Sequence, residues 1–233
     1  MTVNRLKFLC LLIFVAGNAF AQVRNDSLAI DTLRNKYLPT GIRAGFDLLA
    51  YGKTQFQNNF NGWEVEGDID FDRYYLVMEY GSWGRTLNAD STLYQNDGTY
   101  WRVGVDVNFL TKDPDRNNFF LGARIGRSVF TESMNVQNFD PIWGLLTDSF
   151  YHSDVKASWI ELTSGLRVKI WKIFWLGYTG RFKFGLSNKG SLEMLPYDIP
   201  GYGRTDKKTT WGFNYYLMIR LPLRKAPPIP LEK

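Results

Sequence analysis

Few residues of this chain could act as an acid–base catalyst, because its 233 residues include one histidine and one cysteine. His152 follows Asp148 and Ser149 and precedes Asp154. Acyl transfer needs a serine within reach of the histidine and a carboxylate that orients the ring. Neighbouring residues of one loop rarely meet these conditions, so we expect a solvated loop histidine and no enzyme. The alternative is a lipid-modifying hydrolase or acyltransferase with His152 as its base.

Metal and cofactor sites have little support in the sequence. Transition metals usually need several His or Cys ligands, which this composition does not supply. Asp113, Asp115 and Asn117 are oxygen donors that calcium could use, but Pro114 among them is typical of a turn. The glycines near Tyr202 follow no predicted strand and begin no helix, unlike a phosphate-binding loop. We therefore predict neither a metal nor a cofactor.

The largest set of reactive side chains alternates with apolar residues, with acids mostly in the first half of the chain and bases mostly in the second. The acids are Asp47, Glu64, Glu66, Asp68, Asp70, Glu79, Asp106 and Glu161. The bases are Arg43, Arg102, Arg124, Arg167, Lys169, Arg181, Lys183 and Arg220. Charges persist in a low-dielectric interior only when they are paired. The sequence therefore predicts an ion-pair network that plugs an interior.

The elements that carry these charges are predicted strands, because apolar and polar residues alternate along them. The alternating segments are 42–50, 63–71, 74–80, 101–109, 119–128, 160–170, 176–186 and 211–221. They are longer than the roughly 5–6 residues usual in soluble strands. Their polar positions mix glycine with charges of both signs, as a narrow lumen requires.

The apolar face of these strands carries aromatic residues near the strand ends, as the interfacial girdles of membrane barrels do. These residues are Trp63, Phe71, Tyr74, Tyr80, Trp101, Phe109 and Trp211. A sheet in lipid must close, because lipid satisfies no backbone hydrogen bonds. We predict an all-β fold, an eight-stranded antiparallel up-and-down transmembrane β-barrel. A soluble lipocalin-like barrel or sandwich is the alternative.

The predicted connections alternate in length, as expected for such a barrel. The long ones, at about 52–60, 83–98, 131–156 and 187–208, should be external. The short ones, at about 72–73, 111–118 and 171–172, should be periplasmic. The net charge of +5 could suggest a nucleic-acid partner, but the N-terminal segment argues for export instead and no such partner is expected.

The first 21 residues have the features of a signal peptide: Arg5 and Lys7, an apolar run over 6–15, and small residues at Ala19 and Ala21. Cleavage would leave a chain without cysteine, which fits an oxidising envelope compartment. We predict a signal peptide at 1–21, a periplasmic segment at 22–38, the barrel at 39–222 and a Pro-rich periplasmic tail at 223–233.

Four segments also resemble a known family: GTYWRVGVDVNFL at 98–110, FFLG at 119–122, IPGYG at 199–203 and GFNYY at 212–216. The chain is similar over about 40–222 to an uncharacterised Bacteroidota family of small outer-membrane β-barrel proteins. The resemblance implies an outer-membrane location and, because that family has no settled function, no catalytic role.

These observations favour a non-catalytic component of a cell-envelope complex in the outer membrane of a Gram-negative bacterium. We expect contact with outer-membrane lipid and with another outer-membrane protein or lipoprotein. Exposed apolar residues near 145–151 and 194–197 could provide such contacts or pack over the barrel mouth. Besides the lipid-modifying enzyme, a narrow small-solute channel is an alternative, although a pore prefers charges of one sign.

Overall fold

The computed structural model describes residues 38–71, 73–111, 113–189 and 195–224. The predicted signal peptide at 1–21, the segment at 22–37 and the tail beyond Arg224 lie outside the described residues. In the described part, no helix is both long enough and apolar enough to cross a membrane.

The described part of the chain forms an antiparallel barrel of eight strands with one short helix and one small hairpin. The elements are β1 (Gly41–Asp47), α1 (Leu48–Phe56), β2 (Phe60–Phe71), β3 (Tyr74–Ala89), β4 (Thr92–Asn108), β5 (Asn118–Asp140), β6 (Gly144–Trp171), β7 (Phe174–Lys189), β8 (Asp198–Ile199), β9 (Gly203–Arg204) and β10 (Thr209–Pro222). Neighbouring wall strands pair in chain order, and β10 pairs with β1 from Gly41↔Pro222 to Asp47↔Tyr216. The fold is therefore the predicted all-β barrel.

The barrel has two unequal ends. At the turn end, short turns join β2 to β3, β4 to β5 and β6 to β7, as the sequence predicts. At the hairpin end, β5 and β6 extend to 23 and 28 residues and stay paired as far as Asp140↔Gly144. The segments 83–98 and 131–156, predicted as loops, are mostly strand. Ladder hydrogen bonds do not require an apolar face, so the strands continue beyond the end of the strong alternation.

The first strand is shorter than the predicted 42–50, because the chain turns into α1 after Asp47. The carboxylate Oδ1 of Asp47 accepts a hydrogen bond of 2.9 Å from the amide of Leu49, which is N-cap geometry. The same oxygen accepts a bond of 3.1 Å from the amide of Tyr215 on β10. Asp47 therefore ends one strand, starts a helix and satisfies an edge amide of the neighbouring strand.

The connection between β7 and β10 folds back over the hairpin end of the barrel. Ile199 and Tyr202 are buried in an apolar cluster with Tyr100, Phe130 and Trp159. A glycine is required at 201, where φ is +79° and a Cβ would lie 2.6 Å from Cδ2 of the Tyr100 ring. This part of the predicted 187–208 loop thus packs over the barrel mouth.

Candidate functional site

The alternation of the strands turns one set of side chains into the barrel, where glycines leave room for them. A Cβ at Gly122 would lie 2.7 Å from the hydroxyl of Thr163 and would overlap the carboxylate of Asp106. Asp106, Glu79 and Glu161 have no exposed surface. The predicted acids therefore lie in the barrel interior, almost wholly shielded from solvent.

At the centre of the interior, three arginines converge on one carboxylate. Arg102 Nε lies 2.5 Å from Glu79 Oε2, Arg181 Nη2 lies 2.9 Å from Glu79 Oε1, and Arg124 Nη1 contacts the same oxygen. Arg102 also pairs with Glu64 at 2.5 Å, between Nη2 and Oε1. Because these residues come from five different strands, the contacts cross-link the barrel wall through its lumen.

A second group of ion pairs lies on the same interior surface, nearer the turn end. Arg167 Nη2 donates to Asp106 Oδ2 at 2.7 Å and to Glu66 Oε1 at 2.9 Å. Two further pairs join Arg43 to Asp68 at 2.9 Å and Arg220 to Asp70 at 2.8 Å. An arginine with two carboxylates from separate strands offsets the cost of burial better than an isolated pair does.

The structure places all but three of the residues predicted for the network in buried or nearly buried ion pairs. Asp47 is buried, but within the described residues it bonds to the amides of Leu49 and Tyr215 and to Asn214 instead of to a base. Lys183 is buried in the interior, but its Nζ donates to the backbone oxygens of Gly201 at 2.7 Å and Tyr202 at 3.2 Å. Lys169 is exposed at the turn end, where its Nζ lies 3.8 Å from Asp115 Oδ1. Lys169 is thus outside the network, at the end of β6 where its pairing with β7 shifts register between Lys169 and Trp171.

A further polar cluster at the hairpin end was not predicted from the sequence. Tyr94 donates to Glu132 Oε2 at 2.9 Å, and Nδ1 of His152 lies 3.7 Å from Glu132 Oε1. Asp198, which has no exposed surface, contacts Arg85 at 3.5 Å, between Oδ2 and Nη1. Glu132 could have been predicted to face inward, because it continues the inward, even-numbered positions of β5 beyond the predicted strand end at 128.

Burial raises the pKa of Glu132 and of Asp198 above the usual carboxyl values, since the charged form loses its solvation. The hydroxyl of Tyr94 and the ring of His152 partly oppose this effect at Glu132, while Arg85 opposes it at Asp198. The ring of His152 therefore has Glu132 as a carboxylate neighbour across the hairpin.

The outward face carries the predicted aromatic residues in two bands. Trp63, Tyr80, Trp101 and Trp211 lie toward the hairpin end, whereas Phe71, Tyr74 and Phe109 lie toward the turn end. Each has outward, at least partly exposed side-chain surface. Between the bands, the outward positions of the described strands carry no charge. At about 3.4 Å per residue, the strand from Trp101 to Phe109 spans about 27 Å along its axis.

A cavity of about 420 Å³ lies beside α1 at the hairpin end. Its lining includes Leu49 of α1, Trp83 of β3, Lys183 of β7 and Trp211 of β10. Among the described residues, no cluster of His, Cys, Asp and Glu has an arrangement that could hold a metal ion.

A closed β-barrel with a charged, cross-linked interior and an apolar outer face defines the class of this protein. The chain matches the family described as "Domain of unknown function (DUF6048)" over residues 3–226, and it belongs to that family. None of the curated proteins compared with the chain matches it. The family description names no activity, so no residue role is transferred from it.

Proposed function

We propose that this protein is a non-catalytic β-barrel of the outer membrane of a Gram-negative bacterium that acts as a structural and interaction component of a cell-envelope complex. The interior supports this proposal most directly. Arg102, Arg124, Arg167 and Arg181 are buried and bonded to carboxylates of other strands. An interior held by such contacts favours rigidity over transport, since a conducting pore prefers rings of one sign.

The outer face supports the membrane location. A soluble barrel would place its apolar residues inside, but here Leu76, Met78, Val105 and Ile125 are 45%, 58%, 47% and 56% exposed. Aromatic side chains bound this apolar zone at both ends, which is the distribution found in outer-membrane barrels. With the short turns in the periplasm, the long hairpins project outward from the cell.

The tip of the β5–β6 hairpin is the surface best suited to a protein partner. Phe139, Ile142, Trp143 and Leu145 are all more than half exposed there. Asp140 Oδ1 accepts hydrogen bonds from the amides of Ile142 at 2.7 Å and Trp143 at 2.9 Å, which orders the turn. Ordered, exposed apolar groups with aromatic members are typical of binding surfaces.

The test is affinity purification of the tagged full-length protein from outer membranes in mild detergent, followed by mass spectrometry. We expect a stoichiometric partner with the wild type and at least tenfold less of it with the double variant Ile142→Ser, Trp143→Ser. Leu195→Ser is the matched control, since Leu195 is equally exposed on another loop. A clean monomer would contradict the proposal, as would discrete conductance in a planar bilayer.

The contact between Glu132 and His152 favours one second candidate, a lipid-modifying enzyme. A carboxylate near Nδ1 can orient an imidazole whose other nitrogen acts as a base. His152→Gln in cells, followed by analysis of the lipid species, tests this alternative. A changed lipid profile with normal protein levels would favour the enzyme over the interaction component.

A further inference from the structure

The barrel wall is incomplete at the hairpin end beside β10. Pairing between β1 and β10 stops at Asp47↔Tyr216, although β10 continues to Thr209. Pairing between β1 and β2 stops at Phe46↔Val65, although β2 begins at Phe60. Above Asp47, therefore, the two neighbouring strands are separated by a gap where β1 would have continued.

Helix α1 lies beside this gap and contacts both β2 and β10. Thr54 satisfies part of the free edge of β2, because its hydroxyl accepts from the amide of Gly62 at 2.8 Å and donates to the carbonyl oxygen of Gly62 at 2.7 Å. No residue of α1 is buried, so the helix leaves space behind it rather than filling the wall. That space is the cavity of about 420 Å³, a volume within the range of small-molecule sites.

The cavity has an apolar rim and a polar inner surface. Leu49, Trp211 and Phe213 line it and are 41%, 71% and 55% exposed, with Trp211 in the aromatic band of the hairpin end. Lys183 and Asn214 line it from the interior side. Such a gradient suits a molecule with one polar end and one apolar end.

The charge of the lining favours an anion at the polar end. Lys53, Lys183 and Lys207 line the cavity, and none of them forms an ion pair among the described residues. Among the described residues that line the cavity, Asp47 is the carboxylate without an ion pair. It already accepts hydrogen bonds from the backbone amides of Leu49 and Tyr215 and from the side chain of Asn214. The other lining charges pair with each other, as Arg102 does with Glu64 and Arg204 with Asp206.

Lys183 is the most informative of these residues because it is 5% exposed and forms no ion pair with a carboxylate of the described residues, although Glu161 is its cross-strand neighbour on β6. Its ammonium donates to two carbonyl oxygens of the overlying segment, which leaves one N–H without an acceptor among the described residues. Gly212 makes room for it, since a Cβ there would lie 3.1 Å from Nζ. A buried ammonium without a direct ion pair is costly, and an anionic ligand in the cavity would supply that pair.

We propose that this cavity binds a single-chain anionic amphiphile, whose acid group pairs with Lys183 and whose apolar chain leaves through the wall gap into the outer leaflet. Fatty acids and lysophospholipids share this chemistry. The proposal rests on the membrane position of the proposed function but not on a protein partner. Loss of partner capture and loss of amphiphile binding are therefore separate results.

The experiment is native mass spectrometry of the full-length protein in dodecyl maltoside with three probes: myristate, myristoyl-lysophosphatidylglycerol and tetradecanol. We expect one bound equivalent of an anionic probe, with a Kd at least tenfold below that of tetradecanol. Preference for myristate would assign a free fatty acid, and preference for the lysophospholipid would assign a lipid headgroup. Equal binding of all three probes would overturn the proposal.

Lys183→Met removes the charge and keeps most of the side-chain volume, so it should weaken binding of the anionic probe at least tenfold and leave tetradecanol unchanged. Lys208→Met is the matched control, because Lys208 is exposed and does not line the cavity. The folded fraction of each variant is checked by the shift of unheated protein on a gel.

Ala50→Phe is a second test that leaves every charge in place. Ala50 lines the cavity from α1, so a larger side chain should occupy it and also abolish binding. This variant decides the question if Lys183→Met does not fold. Wild-type affinity in a folded Lys183→Met or Ala50→Phe protein would contradict the proposed site.

Discussion

At the scale of single residues, Glu79 holds the interior together, since three arginines from other strands contact its two oxygens. Glu79→Gln keeps the shape of the side chain but removes its negative charge, so the three arginines lose a counter-ion. We expect it to lower the free energy of unfolding by about 3–5 kcal/mol, the usual cost of breaking a buried ion pair. Urea unfolding in lipid vesicles, followed by tryptophan fluorescence, measures this change.

Lys169→Gln is the control for that experiment, because it distinguishes the loss of a buried ion pair from the loss of an exposed charge. Lys169 and its partner Asp115 are 36% and 71% exposed, so their pair should contribute less than about 1 kcal/mol. The alternation of polar and apolar residues predicts that Glu79 and Lys169 both belong to the interior network. Equal losses from Glu79→Gln and Lys169→Gln would mean that the interior network does not stabilise the barrel.

At the scale of elements, Thr54 attaches α1 to the wall through two hydrogen bonds to Gly62. Thr54→Val is nearly isosteric and removes both bonds, so it should cost about 1 kcal/mol. It should also speed hydrogen exchange of the Gly62 amide, which NMR can follow. Thr54→Ser keeps the hydroxyl and should behave as the wild type, whereas unchanged exchange in Thr54→Val would show that α1 is held by other contacts.

The polar cluster at the hairpin end predicts a dependence on pH. Because burial raises the pKa values of Glu132 and Asp198, the folded state binds their protons more tightly than the unfolded chain does. The stability that they contribute is therefore present at low pH and is lost as the pH rises above about 4 through the raised values. Relative to the wild type, the double variant Glu132→Gln, Asp198→Asn should gain stability from pH 4 to pH 7.

Asp140→Asn provides the opposite control for this pH series. Hydrogen bonds from the amides of Trp143 and Ile142 lower the pKa of Asp140, so its contribution is present at neutral pH and is lost as the pH falls. The variant should therefore lose stability, relative to the wild type, most strongly at the higher pH. The same trend in both variants would contradict the assigned shifts, and unfolding curves at four pH values are sufficient to decide.

The elements that could be predicted from the sequence are those along which apolar and polar residues alternate. The alternation identified every wall strand and the inward position of almost every network residue, because period two follows directly from the strand backbone. It failed at Asp47, where Phe46, Leu48 and Ala50 continue the alternation although an N-cap interrupts the strand. The alternation also missed Glu132. Backbone hydrogen bonds hold the long hairpins together beyond residue 128, and apolar residues do not alternate regularly there. Ile199 and Tyr202 pack over the barrel mouth through contacts with residues far away in sequence, and a single sequence does not show such contacts.

At the scale of the whole molecule, the inner face of the barrel is charged and the outer face is apolar. This contrast is consistent with both the proposed membrane position and the proposed amphiphile site. The ion pairs cross-link the wall through its lumen and leave many apolar side chains on the outer face, where the proposed lipid would contact them. The cross-linked wall in turn presents the β5–β6 hairpin and the wall gap in fixed positions. Under the proposed function, such a barrel would hold partners and amphiphiles in place rather than conduct solutes.

The membrane position itself is tested by one pair of valines that both face outward. Val105 lies between the two aromatic bands, and Val129 lies beyond the band at the hairpin end, two residues past the Trp101↔Arg127 pair. A lysine at the midplane costs about 2–4 kcal/mol, and near the interface it costs about 0–1 kcal/mol. Val105→Lys should therefore reduce assembly into vesicles strongly, while Val129→Lys should assemble nearly as the wild type does. Normal assembly of Val105→Lys would mean that this face does not contact lipid, because the difference between the two sites arises from depth in the bilayer alone.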